Sequence, residues 1–183
     1  MPIRIIDTPF DGLVLLESKR FADDRGFFTE LYKQSVFELV GLPTHFPQDN
    51  LSFSKKGVIR GLHFQKPPYG QGKLVTVLQG EALDVVVDIR RNSQTFGKVF
   101  SVILNEVNCR LMFVPEGFAH GFSVLSDTCV FHYKCTNEFN AESDGGIRWN
   151  DPALDINWKV DQPIVSAKDQ LLPLFNEWQS PFP

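Results

Sequence analysis

Four side chains able to carry or hold a proton stand out along the chain: His63 in R-G-L-H-F-Q, Lys73 in Q-G-K-L-V, His120 in F-A-H-G-F and Tyr133 in F-H-Y-K-C. Imidazole and phenol serve as general bases and acids, and an ammonium group can stabilise a developing negative charge. Each has a plainer reading. A histidine on an apolar face is commonly a satisfied core residue, a buried tyrosine commonly spends its hydroxyl on one hydrogen bond, and a lysine beside a turn is commonly solvated. Asp169, three residues after Ser166 in S-A-K-D, has the spacing of a capping box that starts a helix. His45 and His132 carry no signal beyond such readings.

The elements that must position these groups are mostly strands. V-L-L-E (14–17), K-L-V-T-V-L-Q (73–79), A-L-D-V-V-V-D-I (82–89), V-F-S-V-I-L-N (99–105), R-L-M-F-V (110–114), F-A-H-G-F-S-V-L (118–125) and T-C-V-F-H-Y-K-C (128–135) follow at short spacing. Turn residues separate them, and Gly80–Glu81 reads as a hairpin turn. Many short strands of this kind predict an all-β sandwich or barrel. Short helices are expected at 35–40, with Ser35 as cap and Gly41 past the end, and from Ser166 until Pro173 limits it.

Side chains two apart on a strand share a face. Tyr133 then lies with Cys129, Phe131 and Cys135 on the expected inner face, with His132 outside. His120 sits with Phe118, Phe122 and Val124. In 59–65, Ile59, Gly61, His63 and Gln65 share one face, and Arg60 points the other way with Leu62 and Phe64. Lys73 shares a face with Val75 and Val77, although Leu74 and Leu78 leave the inside of that strand open. A lysine, a tyrosine and two histidines converging on the inside of one small barrel outweigh the plainer readings, because uncompensated polar groups there are costly.

Composition bounds the rest. The 183 residues suffice for one domain, 43 % are apolar, and the 17 Phe suit a β-rich interior. A net charge of −4 argues against a nucleic-acid partner, so an anionic ligand must meet a local cluster of Arg and Lys. Three Cys without a C-x-x-C pair, no apolar leader and no long apolar run predict a reduced, cytoplasmic protein with no membrane partner.

D-D-R-G-F-F-T-E (23–30), Q-D-N (48–50), R-G-L-H-F-Q (60–65), Q-G-K-L-V (71–75), V-P-E-G-F-A-H-G-F (114–122), Y-K-C-T (133–136), G-I-R-W-N-D-P (146–152) and S-A-K-D (166–169) occur in that order. Together they resemble the dTDP-4-dehydrorhamnose 3,5-epimerase family over nearly the whole chain. The resemblance implies a cupin-like jelly roll with a few short peripheral helices, one epimerase domain over 1–183, and a homodimer using about the first 50 residues. It implies no metal and no organic cofactor. The substrate it implies is a nucleotide-linked 4-keto-6-deoxyhexose, inverted at C3 and C5 on the way to dTDP-L-rhamnose.

By the same resemblance His63 is the base, Asp169 its hydrogen-bond partner, Tyr133 the acid on the opposite face, and Lys73 the stabiliser of the enolate oxygen. His120 contacts the sugar or the enolate region. Arg25 and Arg60 suit a diphosphate, assisted by Lys168. Glu30, Gln48 and Asn50 offer polar contacts, and Phe27 a stacking face. Arg25, Phe27 and Glu30 would serve the partner's site. Two positions depart from the family pattern. Glu138 replaces the first of an aromatic pair, leaving Phe139 as the second, and Asp144 stands where Glu is usual, reaching substrate through a water. Three alternatives stand beside this expectation: a single-position epimerase, a metal-dependent cupin oxygenase, and a non-catalytic binding module. The H-x-H pair of metal cupins is absent, since Phe64 and Gln65 follow His63, and no Walker or Rossmann motif is present.

Overall fold

The structure, a computed structural model, describes residues 2–183. In chain order the strands are β1 (Ile3–Phe10), β2 (Leu13–Ser18), β3 (Arg20–Asp23), β4 (Gly26–Thr29), β5 (Gln48–Lys55), β6 (Val58–Gln65), β7 (Lys73–Gln79), β8 (Glu81–Asp88), β9 (Val99–Asn105), β10 (Arg110–Val114), β11 (Phe118–Val124), β12 (Thr128–Cys135), β13 (Asp144–Gly146) and β14 (Ile164–Val165). The helix α1 (Gln34–Leu39) precedes β5, and α2 (Ala167–Gln170) follows β14. One sheet is ordered β1-β2-β10-β7-β12-β5 and the other β13-β6-β11-β8-β9, with β14 pairing β6 and a separate β3–β4 hairpin. The result is the expected cupin-like jelly roll.

Alternation builds the barrel interior. Leu15, Val75, Val77 and Phe131 from the first sheet pack against Ala82, Val86, Phe118 and Phe122 from the second. The opposite faces of the same strands are covered too. Leu74, Leu111 and Phe113 meet α1 through Val36 and Phe37. Ile59, Leu83 and Val85 meet Leu154, Trp158 and Phe182 of the C-terminal segment. With both faces of its central strands buried, the barrel keeps an open space where Arg60, His63, Lys73, His120 and Tyr133 line its interior.

Four local expectations change. β7 and β8 lie in different sheets, so Gly80 does not close a hairpin but carries the chain across the barrel. Its φ is +82°, and a Cβ there would lie 2.1 Å from the Thr128 carbonyl oxygen. β5, absent from the expected strands, forms the edge beside β12, in register from Thr128↔Lys55 to Cys135↔Gln48. α1 begins one residue early with Lys33 at its cap position, so Ser35 lies inside the first turn rather than capping it. The fourth change concerns β6. His120 pairs with His63 and Phe122 with Arg60, so two β6 residues lie between partners where β11 has one. This bulge reverses the alternation at Gly61, whose φ is +129°. Arg60 therefore joins His63 and Gln65 on the inner side, while Ile59 joins Leu62 and Phe64 in the outer core. Among the described residues no helix is long and apolar enough to cross a membrane.

Candidate active site

The polar interior opens as a cavity of about 540 Å³ between the two sheets. β6 contributes Arg60 and His63, β11 His120, β7 Lys73 and β12 Tyr133, while Lys168 and Asp169 enter from α2. His63 and His120 belong to one sheet, and Lys73 and Tyr133 to the sheet facing it.

His63 and Asp169 are 106 residues apart and meet through a short local construction. β14 pairs in parallel with the start of β6, Val165 opposite Ile59, and so delivers the next residues to Gly61 and His63. Ser166 caps α2, its Oγ accepting from the Asp169 N–H at 3.1 Å. With its backbone held there, the Asp169 carboxylate turns to β6. Oδ1 lies 2.8 Å from His63 Nε2, and Oδ2 accepts from the Gly61 N–H at 3.2 Å. Burial pushes the Asp169 pKa up, but His63, Gly61 and Ser166 outweigh it and hold the carboxyl below its ordinary value. An ionised carboxylate only accepts, so Nε2 of neutral His63 carries the proton and Nδ1 keeps its lone pair. Gly61 permits the close strand contact: a Cβ there would lie 2.6 Å from Gly121 Cα.

His120 makes the second such pair, Nε2 at 2.7 Å from Asp84 Oδ1. Asp84 is fully buried on β8, between Ala82 and Val86 on the inner face. Burial pushes its pKa up, against the pull of His120 and Lys73. Asp84 is not among the residues the sequence motifs single out; its signal there is a lone carboxylate in the apolar run A-L-D-V-V-V. Lys73 aligns with Cys135 and sits on the inner face with Val75 and Val77, which resolves its strand. Its Nζ lies 6.0 Å from the Tyr133 ring centroid. Burial pushes the Lys73 pKa down, opposed by Cys135, Asp144 and Asp84. Burial raises that of Tyr133, keeping its phenol protonated. Phe122 and Phe131 stack at 4.1 Å between centroids, one from each sheet, and form an apolar floor.

Arg60 Nε donates to Ser54 Oγ at 3.1 Å, which leaves the terminal nitrogens of the guanidinium for a ligand. Gln48, Asn50 and Ser52 occupy successive inner positions of β5, and Ser52 reaches the cavity. At roughly 3.4 Å per residue this row is about 14 Å long. Gln48 and Asn50 are hydrogen-bonded to each other and lie beyond the cavity lining. Asp144 pairs with Lys168 and does not itself line the cavity. Arg25, Phe27 and Glu30 are not among the lining residues either. Arg25 is 90 % exposed and paired with Asp23 of its own β3–β4 hairpin, while Phe27 lies under Arg20 with its ring half exposed. Glu30 Oε1 is buried without a hydrogen-bond partner among the described residues. Cys109, Cys129 and Cys135 are free and buried. Among the described residues no group of three or more His, Cys, Asp or Glu side chains is arranged to hold a metal ion.

A jelly-roll barrel with a carboxylate-tethered histidine on one wall and a protonated tyrosine on the other defines a cupin-like epimerase. The family model described as dTDP-4-dehydrorhamnose 3,5-epimerase matches residues 7–177. The chain belongs to this family. It is 48 % identical to the dTDP-4-dehydrorhamnose 3,5-epimerase of Escherichia coli, with 96 % of each chain covered. Solved structures agree. The Bacillus anthracis enzyme of that name, with TDP and PPi bound, superposes with a TM-score of 0.92 at 47 % identity, covering 94 % of this chain and 99 % of that one. The Legionella pneumophila dTDP-6-deoxy-D-glucose-3,5-epimerase, in complex with dTDP-4-keto-L-rhamnose, gives 0.90 at 47 %, covering 95 % and 93 %.

Proposed function

We propose that this chain inverts C3 and C5 of dTDP-4-dehydro-6-deoxy-D-glucose to give dTDP-4-dehydro-L-rhamnose, a step of dTDP-L-rhamnose biosynthesis. The observation that carries the reading is the placement of the His63–Asp169 pair and Tyr133 on facing sheets of one cavity. A C–H bond next to a ketone is acidic because its electrons can move onto the carbonyl oxygen. His63 Nδ1 takes the proton, the electron pair becomes the enolate, and Asp169 stabilises the imidazolium. Lys73 and His120 stabilise the oxygen that gains charge. Tyr133 returns a proton from the opposite face, and solvent restores both groups. Repeating the sequence at the second carbon requires no redox partner.

Arg60 and Lys168 bind the diphosphate, where guanidinium geometry orients as well as attracts. Asp144 supports this contact by holding Lys168. The nucleoside runs along the β5 row toward Gln48. There Phe139, a residue 58 % exposed, offers a stacking face, so the loss of an aromatic at Glu138 leaves the base end supplied.

The same reading makes the protein a cytoplasmic homodimer. Arg25, Phe27 and Glu30 miss the cavity of their own chain, and edge strand β5 exposes Leu51 and Phe53. An uncovered apolar edge strand is a ready pairing surface. Mixed Arg25→Ala and His63→Ala chains should regain activity, because a heterodimer rebuilds one intact site. Mixtures that stay inactive overturn the exchange.

The reaction itself is tested with dTDP-4-dehydro-6-deoxy-D-glucose in deuterium oxide. Deuterium at both C3 and C5 of an L-configured product is expected, whereas label at one carbon alone refutes the double inversion.

A further inference from the structure

The last residue of R-G-L-H-F-Q has no part in the proton chemistry above. Gln65 ends β6 two residues beyond His63, and its side chain is buried. Its amide makes three hydrogen bonds, all to backbone of two loops. Nε2 donates to the Tyr69 carbonyl at 2.8 Å and the Glu138 carbonyl at 3.2 Å, and Oε1 accepts from the Asn140 N–H at 2.7 Å. The two loops are also tied to each other, by Gln71 Nε2 to the Asn137 carbonyl at 2.8 Å and Asn137 Nδ2 to the Gly70 carbonyl at 2.6 Å. Gln65 therefore grips the chain immediately before and after Phe139.

The Phe139 N–H itself donates to Gln48 Oε1 at 2.6 Å, and Gln48 Nε2 donates to Asn50 Oδ1 at 3.0 Å. Three consecutive residues, 138–140, thus have their backbone fixed while the ring in the middle stays open to solvent. Interior ordering beneath an exposed aromatic lowers the entropy lost when a planar group stacks on it.

We infer that Gln65 is a positioning residue for the nucleotide end of the site: its side-chain amide, locked to the backbone on both sides of Phe139, fixes the aromatic platform against Gln48 and so sets affinity for the base of a nucleoside diphosphate. This rests on the reading under which the β5 row takes the nucleoside. It makes R-G-L-H-F-Q a two-ended element, with His63 serving the sugar and Gln65 the base.

The test is calorimetric titration with dTDP alone, alongside steady-state kinetics. Gln65→Met keeps the size of the side chain and removes its hydrogen bonds. It should weaken dTDP about tenfold and raise KM by a similar factor, with kcat within twofold of wild type. Phe139→Ala should weaken dTDP about tenfold, the usual scale for losing one base–aromatic stack. Adding Gln65→Met to Phe139→Ala should then cost less than a further twofold, since both changes remove the same platform. Gln65→Glu supplies a rescue that a generally loosened fold would not show. Its protonated carboxyl can donate to one carbonyl and accept from Asn140, so its dTDP affinity relative to wild type should rise as the pH falls toward 5. Unchanged dTDP affinity in Gln65→Met, effects that multiply in the double variant, a proportional loss of kcat, or no recovery of Gln65→Glu in acid each overturn the inference. Wild-type protein that fails to bind dTDP overturns the substrate reading beneath it, an outcome separate from all four.

Discussion

Replacing Asp169 by Asn tests the His63 pair with least disturbance, because the side chain keeps its volume at a site only 5 % exposed. The carboxylate holds His63 Nε2 at 2.8 Å and the Gly61 N–H at 3.2 Å. When His63 Nδ1 takes a proton, the imidazolium gains a direct counter-charge that an amide lacks. A hydrogen bond to a charged group contributes about 1.5–3 kcal/mol. Lost only as charge develops, that corresponds to a fall in kcat of about 10- to 150-fold, with dTDP affinity unchanged. Epimerisation rate at saturating substrate, paired with dTDP titration, measures both. A kcat within threefold of wild type, or an equal loss of dTDP binding, refutes the assignment. Stability gives an independent check. Asp169 has its pKa lowered in the fold, so its stabilising contribution is present above the unfolded value, near 3.9, and is lost as pH falls through the folded one. The Asn variant should lack that acid-side decline.

Other outcomes follow from the same geometry. Burial pushes the Asp88 pKa up, but Arg90, Ser93 and Thr95 outweigh it and hold the carboxyl at about 2. A folded pKa below the unfolded value contributes about 2 kcal/mol at neutral pH, lost as pH falls from about 5 toward 2. Asp88→Asn should therefore lower stability in urea melts at pH 7 by about that amount, with little change near pH 2. Lys73 must be protonated to stabilise the enolate, and burial lowers its pKa from 10.5. The alkaline limb of kcat should fall below pH 10.5 and move upward in Lys73→Arg; a limb unmoved by that change assigns it to another group. Gly61→Ala places a Cβ 2.6 Å from Gly121 Cα at a φ of +129°. It should cost at least about 2 kcal/mol in thermal or urea unfolding and lower activity beyond that loss, through Arg60 and His63 together.

Where a strand runs without interruption, alternation alone placed its side chains. Tyr133, Phe131 and Cys129 face inward and His132 outward along β12, where His132 meets Asp49 at 2.8 Å. The same rule failed at β6, because alternation assumes one residue per pleat and the Gly61 bulge supplies an extra one. Simple alternation therefore puts Arg60 on the outer side and His63 with Ile59, the reverse of what the bulge produces. The Gly80 turn carried the right chemistry for a reversal, but local turn signals do not say which sheet receives the next strand. Asp169 could be read as a helix-start residue and is one. Its second task depends on β14 lying along β6, a pairing between segments about 106 residues apart that no local pattern encodes. Gln48 and Asn50 are legible as a motif but not as part of a strand, since Q-D-N-L-S-F-S-K carries polar residues on the inward side. Those inward polar residues mark a strand whose inner face is not part of the apolar core.

In the proposed mechanism two sheets divide the labour: His63 opens the C–H bond, and Tyr133 closes it from the other side. Solvent-hydrogen exchange of dTDP-4-dehydro-6-deoxy-D-glucose in deuterium oxide, compared between His63→Ala and Tyr133→Phe, separates the two. His63→Ala should bind dTDP and show neither exchange nor inversion. Tyr133→Phe should still exchange substrate hydrogen with solvent while failing to invert. Loss of exchange in Tyr133→Phe with dTDP binding intact, or exchange persisting in His63→Ala, would contradict the account.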